Sequence, residues 1–453
     1  MLYTCVSVKI AYLWEELILD FMYGKKGRRL SFRFSPRAVV CRAICLLVAV
    51  NGLWLVGCQK HEDDSLMNRD VNEAIYEKME DWYLWYDELP ARELLDFGTD
   101  PESFFYSLLL EKDGKNGYKY SYITREENFN IGGSALLGYG FSYLNSSPFL
   151  QVVCVWSGTP AKRAGIQRGD CLKAVEGIQV TVDNVADVLA SHTGETVLTV
   201  GRWNDETGEE EMLDIRIPKR EMYYGTPVVL DTLYTGTRVG KVGYLVYYGV
   251  FAAGPDEEPG LFNDELKGAF ARYHAAGVRN LVLDLRNNSG GEVDACHLLS
   301  TMLAPREAMG KIFMVGKCND QQENTALLFE PDLIGEGARL DLEKLVVIVN
   351  RESASASELL IHCLKPYFGD NLQVVGTRTE GKNVGMRLFE ILDTPWSICP
   401  VVFYILNCNG ESYSKEGLIP DVFIEEDFSR NIYPFGDRRE QLLREAMRTI
   451  GAE

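Results

Sequence analysis

Apolar and polar positions alternate in three rhythms along the 453-residue chain. From Asn68 to about Thr124, residues Val71, Ile75, Met79, Trp82 and Trp85 recur every three or four positions, with Glu73, Glu77 and Glu80 on the opposite side. That spacing predicts an amphipathic helix, which Pro90 and Pro101 break into short pieces. The aromatic stripe reads as the core of a small helical domain rather than as a ligand platform. From about Gly133 to Pro218, glycine turns separate short strand-like stretches, among them Phe149 to Trp156 and Cys171 to Val175. From Glu221 to Asp427, apolar runs (Val242 to Val246, Leu281 to Leu285, Leu345 to Val349, Gln373 to Val375, Val401 to Leu406) alternate with helical patterns. This predicts an α/β unit whose strands are buried between layers. Residues 428–450 read as a charged helix packed on the outside.

Charge adds a targeting segment to this picture. The chain carries a net charge of −20, yet residues 1–58 hold eight Lys or Arg against Glu15, Glu16 and Asp20. The basic run leads into an apolar stretch from Ala43 to Val56 that closes on Gly57 and Cys58. A basic region, a short apolar core and a small residue at the cleavage point form a secretory signal; the core is short for a membrane span. With Cys58 after Gly57 the pattern resembles a bacterial lipobox, which predicts a lipid on Cys58 and a cell-envelope location facing periplasm or cell surface. Met22, which opens the basic run, is a second candidate start. Acidic Glu62, Asp63 and Asp64 just beyond Cys58 resemble the surface-export signals of Bacteroidetes lipoproteins. The acidic body lacks a basic stripe for phosphates, which argues against a nucleic-acid partner. No HExxH or Cys/His ligand spacing is present, so neither a metal nor a cofactor is expected. The scattered Cys154, Cys171, Cys296, Cys318, Cys363, Cys399 and Cys408 read as mostly buried free thiols.

Two stretches of the α/β unit carry candidate chemistry. Strand Leu281 to Leu285 runs into Arg286, Asn287, Asn288, Ser289, Gly290 and Gly291, where a glycine pair exposes backbone amides able to hold an oxyanion. Strand Leu345 to Val349 runs into Asn350, Arg351, Glu352 and then Ser353, Ala354, Ser355, Ala356, Ser357, Glu358. Small residues at such a junction admit a substrate backbone, and the helix N-terminus behind them favours an anion. One serine can serve as a helix cap, but a cap does not require five small residues in a row. A serine needs a base to become a nucleophile. His362 lies within the following helix and there is no GxSxG elbow. Lys382, between Gly381 and Gly385, is the better base, provided that burial lowers its pKa.

The order DLRNNSGG, SASASE and GK, closed by Gly417, Leu418, Ile419, Pro420 and Asp421, resembles the C-terminal processing peptidases, the tail-specific serine proteases. The preceding GxPAxxAGIxxGD pattern, Gly158 to Asp170, resembles a PDZ domain. The resemblance implies a crotonase/Clp-like α/β catalytic core behind a PDZ domain and a small N-terminal helical domain. Its boundaries are a signal region at 1–58, the helical domain at 66–130, PDZ at 133–218, the catalytic domain at 221–430 and a C-terminal helix at 431–453. It further implies Ser355 as nucleophile, Lys382 as general base, and oxyanion amides from Ala356 and from Gly290 or Gly291. A PDZ loop at Leu137, Gly138, Tyr139, Gly140 and Phe141 would capture the free C-terminus of a protein or peptide substrate. The sequence departs from the family pattern in three places. The 27-residue interval from Ser355 to Lys382 is about two longer than usual, with the excess expected in a loop at Lys365 to Asn371. Tyr139 stands where a small residue is common. Met386 stands where a polar residue, often Gln, orients the lysine; Glu358 or Asn383 are the candidate substitutes. Met386 also keeps open a catalytically silent, peptide-binding lipoprotein.

Overall fold

The computed structural model describes residues 67–125, 136–144, 150–335, 337–391, 393–428 and 432–453. Cys58 with its lipobox, and Gly132 and Gly133 at the expected start of the PDZ segment, lie outside the described residues. Residues Asn68–Glu453 form one compact unit.

Helix α1 (67–82) buries Ile75 and Met79 along the expected stripe. Helix α2 (Pro101–Leu108) starts on Asp100, whose carboxylate accepts the Ser103 amide, and it buries Phe104, Phe105 and Leu108. The helical reading fails beyond this point. Lys115 and Tyr118 pair across Asn116 and Gly117, which both have positive φ (51° and 86°), the geometry of a two-residue hairpin turn. Strand β1 (Tyr122–Thr124) then leaves its own segment and pairs antiparallel with residues Ser397–Cys399, far along the chain.

The PDZ-like segment opens with β2 (Leu136–Gly138) and β3 (Phe141–Tyr143), joined by Tyr139 and Gly140. β2 is not an open loop: it pairs with Glu221–Tyr223 at the segment's exit. Gly140 (φ 87°) cannot carry a side chain, since a Cβ there would lie 2.1 Å from Thr159 Cβ. β3 pairs on one edge with β4 (Val152–Val155). Helix α3 (Pro160–Ala164) is capped by Thr159 and ends on left-handed Gly165. Strands β5 (Cys171–Val175), β6 (Thr196–Asn204) and β7 (Glu209–Ile217) form the remaining sheet together with the short edge strand Ile178–Gln179, with helix α4 (Val185–Ser191) between β5 and β6. Tyr139 sits at an unusual place for a large residue because its ring is buried in this core and its hydroxyl donates to the His192 carbonyl at 3.0 Å.

The α/β unit is a six-stranded sheet in the order β8 (Val228–Thr237), β9 (Gly240–Tyr247), β10 (Asn280–Asp284), β11 (Lys344–Val349), β12 (Leu372–Gly376) and β13 (Val422–Phe423). β8 and β9 are antiparallel and the rest parallel. Alternate residues serve opposite faces. Leu281, Leu283, Leu345 and Val347 meet helices α5 (Leu261–Ala276), α6 (Val293–Leu303) and α7 (Ala356–Phe368) on one side. Val282, Val346 and Ile348 meet helix α8 (Gln441–Ile450) on the other. The C-terminal helix is therefore a structural layer, not an external appendage. It begins at Gln441, and Leu442, Leu443, Met447 and Ile450 are buried. Residues Val401–Leu406 form a strand of a separate four-stranded antiparallel sheet, which also contains Val384–Met386. The stretch expected as an enlarged loop after Lys365 is the last turn of α7 followed by a short 3-10 turn, Gly369–Asn371.

A buried ion cluster ties the PDZ-like segment to the α/β unit. Arg286 binds Asp284 (2.7 Å) and Glu440 (2.9 Å), Glu426 contacts both Arg286 (3.3 Å) and Arg168, and Tyr244 donates to Asp284. The Arg168 and Arg286 guanidinium groups lie 4.4 and 5.3 Å from the Phe435 ring centroid. Burial opposes the charge on Glu440, but Arg286 and Arg168 outweigh it and hold its carboxyl below the usual carboxylate range.

Candidate active site

Parallel strands β10 and β11 end side by side, and the loops that follow them meet. Of the three serines in the second loop, two are structural. Ser353 donates to the Leu285 carbonyl (2.8 Å), and Ser357 donates to the Asn288 carbonyl (2.9 Å); both are buried. Ser355 lies between them with φ +51°, a left-handed backbone that β-carbon residues seldom adopt. This turn places its side chain on the wall of a cavity of about 420 Å³ and puts Ser355 at the N-terminus of α7. Ala356, the first residue of that helix, has no intrahelical acceptor for its amide.

Gly290 and Gly291 line the same cavity. A Cβ on Gly290 (φ 97°) would lie 2.6 Å from Ser355 Cβ and 2.9 Å from the Ala356 nitrogen, so only glycine admits this approach. The two glycines are not equivalent, because the Gly290 amide donates to Asn288 Oδ1 at 3.0 Å. Asn288 also accepts from Ser357 and donates to the Tyr247 carbonyl (3.1 Å), locking the glycine loop to the serine loop.

Lys382 enters the cavity from the loop after β12. Its side chain keeps a partly open face toward the cavity, yet surrounding groups desolvate the amine enough to lower its pKa from the ordinary lysine value. Cys399, Asp113 and Glu358 act in the opposite direction. Glu358, fully buried, binds the lysine loop to the serine: it accepts the amides of Ser355 and Lys382 (2.9 Å each), the Gly381 amide (2.7 Å) and the Thr379 hydroxyl (2.5 Å). Burial still pushes its carboxyl above the ordinary range, against the pull of those donors. Tyr413 donates to the Lys382 carbonyl at 2.6 Å. Asn383 turns away, donating to the Tyr413 carbonyl (2.8 Å), so of the two candidate substitutes it is Glu358 that contacts the lysine's backbone. Met386 lines the cavity and packs against the N-terminal core. His362 lies outside the cavity, with its Nε2 2.8 Å from the Glu411 carbonyl.

Ser355, Ala356, Gly290, Gly291 and Lys382 are thus brought together, whereas Leu137 to Phe141 belong to the PDZ-like segment. A second cavity of about 410 Å³ lies between that segment and the α/β unit, lined by Ser142, Tyr143 and Leu144 and by Arg351 and Glu425. Ser289 lines both cavities. The sequence reading did not single out Tyr122, Cys399 or Phe403, which complete the wall around Ser355. Nothing local marks them, because Tyr122 comes from β1, Cys399 from the strand paired with it and Phe403 from the four-stranded sheet.

Residues 241–424 match the family model for Peptidase family S41. The α/β unit belongs to peptidase family S41. Residues 70–122 match the Peptidase S41 N-terminal domain and residues 151–200 a PDZ domain, so all three segments occur in the expected order. Proteins named "Probable CtpA-like serine protease" are 28% identical over 323 residues in Staphylococcus aureus strain COL and over 326 residues in Staphylococcus epidermidis strain RP62A. These alignments cover 70% of this chain but only 58% and 59% of the two relatives. A crystal structure from Bacteroides fragilis NCTC 9343, assigned as an S41 protease, is 29% identical with a TM-score of 0.71. The match covers 83% of this chain and 96% of that one.

Proposed function

We propose that this S41 chain is an exported serine endopeptidase working through a Ser355/Lys382 dyad. The observation that carries the reading is the single cavity shared by Ser355, strained at the head of α7, and a lysine whose pKa is lowered by burial. A neutral Lys382 amine takes the Ser355 hydroxyl proton as Oγ attacks the peptide carbonyl carbon. The amides of Ala356 and Gly291 receive the oxyanion, since that of Gly290 is committed to Asn288. The resulting ammonium returns the proton to the leaving amine, and the acyl-enzyme is hydrolysed by a water that Lys382 deprotonates in turn.

The substrate is a protein or peptide with a free C-terminus. It adds as a strand to the edge of β3, with the Leu137 to Phe141 segment holding the terminal carboxylate, and it reaches Ser355 past Ser289, where the two cavities share a wall. Lipidation of Cys58 would anchor the enzyme in the cell envelope, facing periplasm or cell surface; loss of fatty-acid labelling in Cys58→Ala tests that part separately. For the chemistry, Ser355→Ala and Lys382→Ala should each abolish cleavage of an unfolded protein while leaving thermal unfolding cooperative. Cleavage retained in both variants would reject the dyad.

A further inference from the structure

The contact between the lysine and the N-terminal segment points to a role for that segment in catalysis. Lys382 Nζ lies 5.2 Å from the ring centroid of Tyr120. Tyr120 is held there by a buried knot. Asp113 accepts the amides of Tyr120 (3.2 Å) and Ser121 (3.0 Å) and the hydroxyls of Ser121 (2.5 Å) and Tyr83 (2.9 Å). Ser121 Oγ in turn accepts the Val401 amide at 2.8 Å, which fixes this turn to the α/β unit. The next residues are β1, whose Tyr122 hydrogen-bonds the Cys399 thiol and lines the cavity. Lys115 clasps the lysine loop from outside, donating to the carbonyls of Glu380 and, at 2.9 Å, Lys415.

Met386, four residues after the lysine, offers the amine no hydrogen bond, and Glu358 reaches only the backbone of Lys382. We propose that Tyr120 is the positioning residue for the Lys382 amine, so that the N-terminal domain completes the catalytic site. The inference rests on the Ser/Lys reading above. The ring does two things: its face attracts the ammonium formed during turnover, and its bulk keeps water off the neutral amine. The groups facing the amine are Tyr120, Tyr122 and Asp113 from the N-terminal segment, Glu358 from α7, and Cys399 from Ser397–Cys399. The carboxylates favour the charged lysine, so the exclusion of water that keeps it neutral depends on the aromatic cover.

The test is the pH dependence of kcat/KM for cleavage of an unfolded protein by full-length wild type, Tyr120→Phe and Tyr120→Ala, with Ser355→Ala as the blank. Tyr120→Phe keeps the ring and should keep the wild-type acidic limb. Tyr120→Ala admits water, so the limb should move to higher pH and the rate at neutral pH should fall about tenfold or more, part of what a general base supplies. If the alanine variant does not fold, Tyr120→Gln, hydrated and of similar reach, should give the same displacement. An acidic limb unmoved in the folded variant overturns the inference even if the rate falls, because a purely structural loss lowers the whole profile evenly. Wild-type cleavage no greater than that of Ser355→Ala would instead overturn the dyad itself.

Discussion

Glu358 Oε2 accepts the backbone amide of Ser355 and that of Lys382, both at 2.9 Å. A single buried carboxylate therefore sets the spacing of Ser355 and Lys382, the proposed nucleophile and base, while its other oxygen holds Gly381 and Thr379. In Glu358→Gln one oxygen becomes an NH2 that faces two donors instead of accepting from them. Displacement of a reacting group by a fraction of an ångström to an ångström costs up to about 10²-fold. The variant should lose kcat by about that factor with little change in KM, which steady-state kinetics on a peptide substrate would reveal.

Gly290→Ala should be close to inactive yet folded. The added methyl would have to occupy a point 2.6 Å from Ser355 Cβ, at a φ of 97°, so the serine loop must retreat from the proposed oxyanion donors. Losing one such donor costs about 10²–10³ in kcat. Circular dichroism and thermal melting separate this from unfolding; a variant with near wild-type turnover would contradict the placement of the glycine loop.

Lys382→Met should be inactive but more stable than wild type. The folded-state pKa of Lys382 lies below the unfolded value, so the folded chain binds fewer protons and its stability rises with pH through that window. Below the window, folding must either desolvate an ammonium or strip its proton. Methionine removes that cost, and a gain of about 1 kcal/mol is expected, larger at pH 6 than at pH 9. Denaturant unfolding at the two pH values measures both the sign and the trend.

Arg168→Met tests the cluster beneath the PDZ domain. It leaves Glu426 buried with one cation fewer, and breaking a buried pair costs about 3–5 kcal/mol. Glu440 adds a pH signature. Its folded pKa is depressed, so its stabilisation is complete above the ordinary carboxylate value and is lost as pH falls through the depressed one. Wild type should therefore lose stability in acid, and Arg168→Met should lose less there because part of the loss has already occurred.

Much of this architecture is legible in the sequence because it depends on local rules. The central strands of the six-stranded sheet, β10 and β11, are built on the apolar runs Leu281 to Leu283 and Leu345 to Val349, and the PDZ helix is bounded by Thr159 and Gly165, which act through adjacent residues. The failures have two kinds. In one, a local signal competes with a longer pattern: Asn116-Gly117 marks a hairpin turn, but the stripe before it favours a continuing helix. The same is true of the C-terminal helix, whose charge concealed a face made of Leu442, Leu443, Met447 and Ile450. The other kind was not legible. Ser355 and Lys382 lie in recognisable contexts, but the wall around them is built from Tyr122, Cys399 and Phe403, which only tertiary pairing brings together. Glu358 could be named as a candidate, yet its four donors are visible only once the loops are placed.

The bond from the Val401 amide to Ser121 spans 280 positions in the chain, and beside it β1 joins Ser397–Cys399 to wall the cavity. A polypeptide released or trapped before that late stretch has been made lacks both the partner of β1 and Cys399, which lines the cavity beside Lys382. On the proposed mechanism, hydrolysis therefore waits until these two distant stretches of the chain have met, and an unfinished copy has no walled site in which Lys382 could serve Ser355.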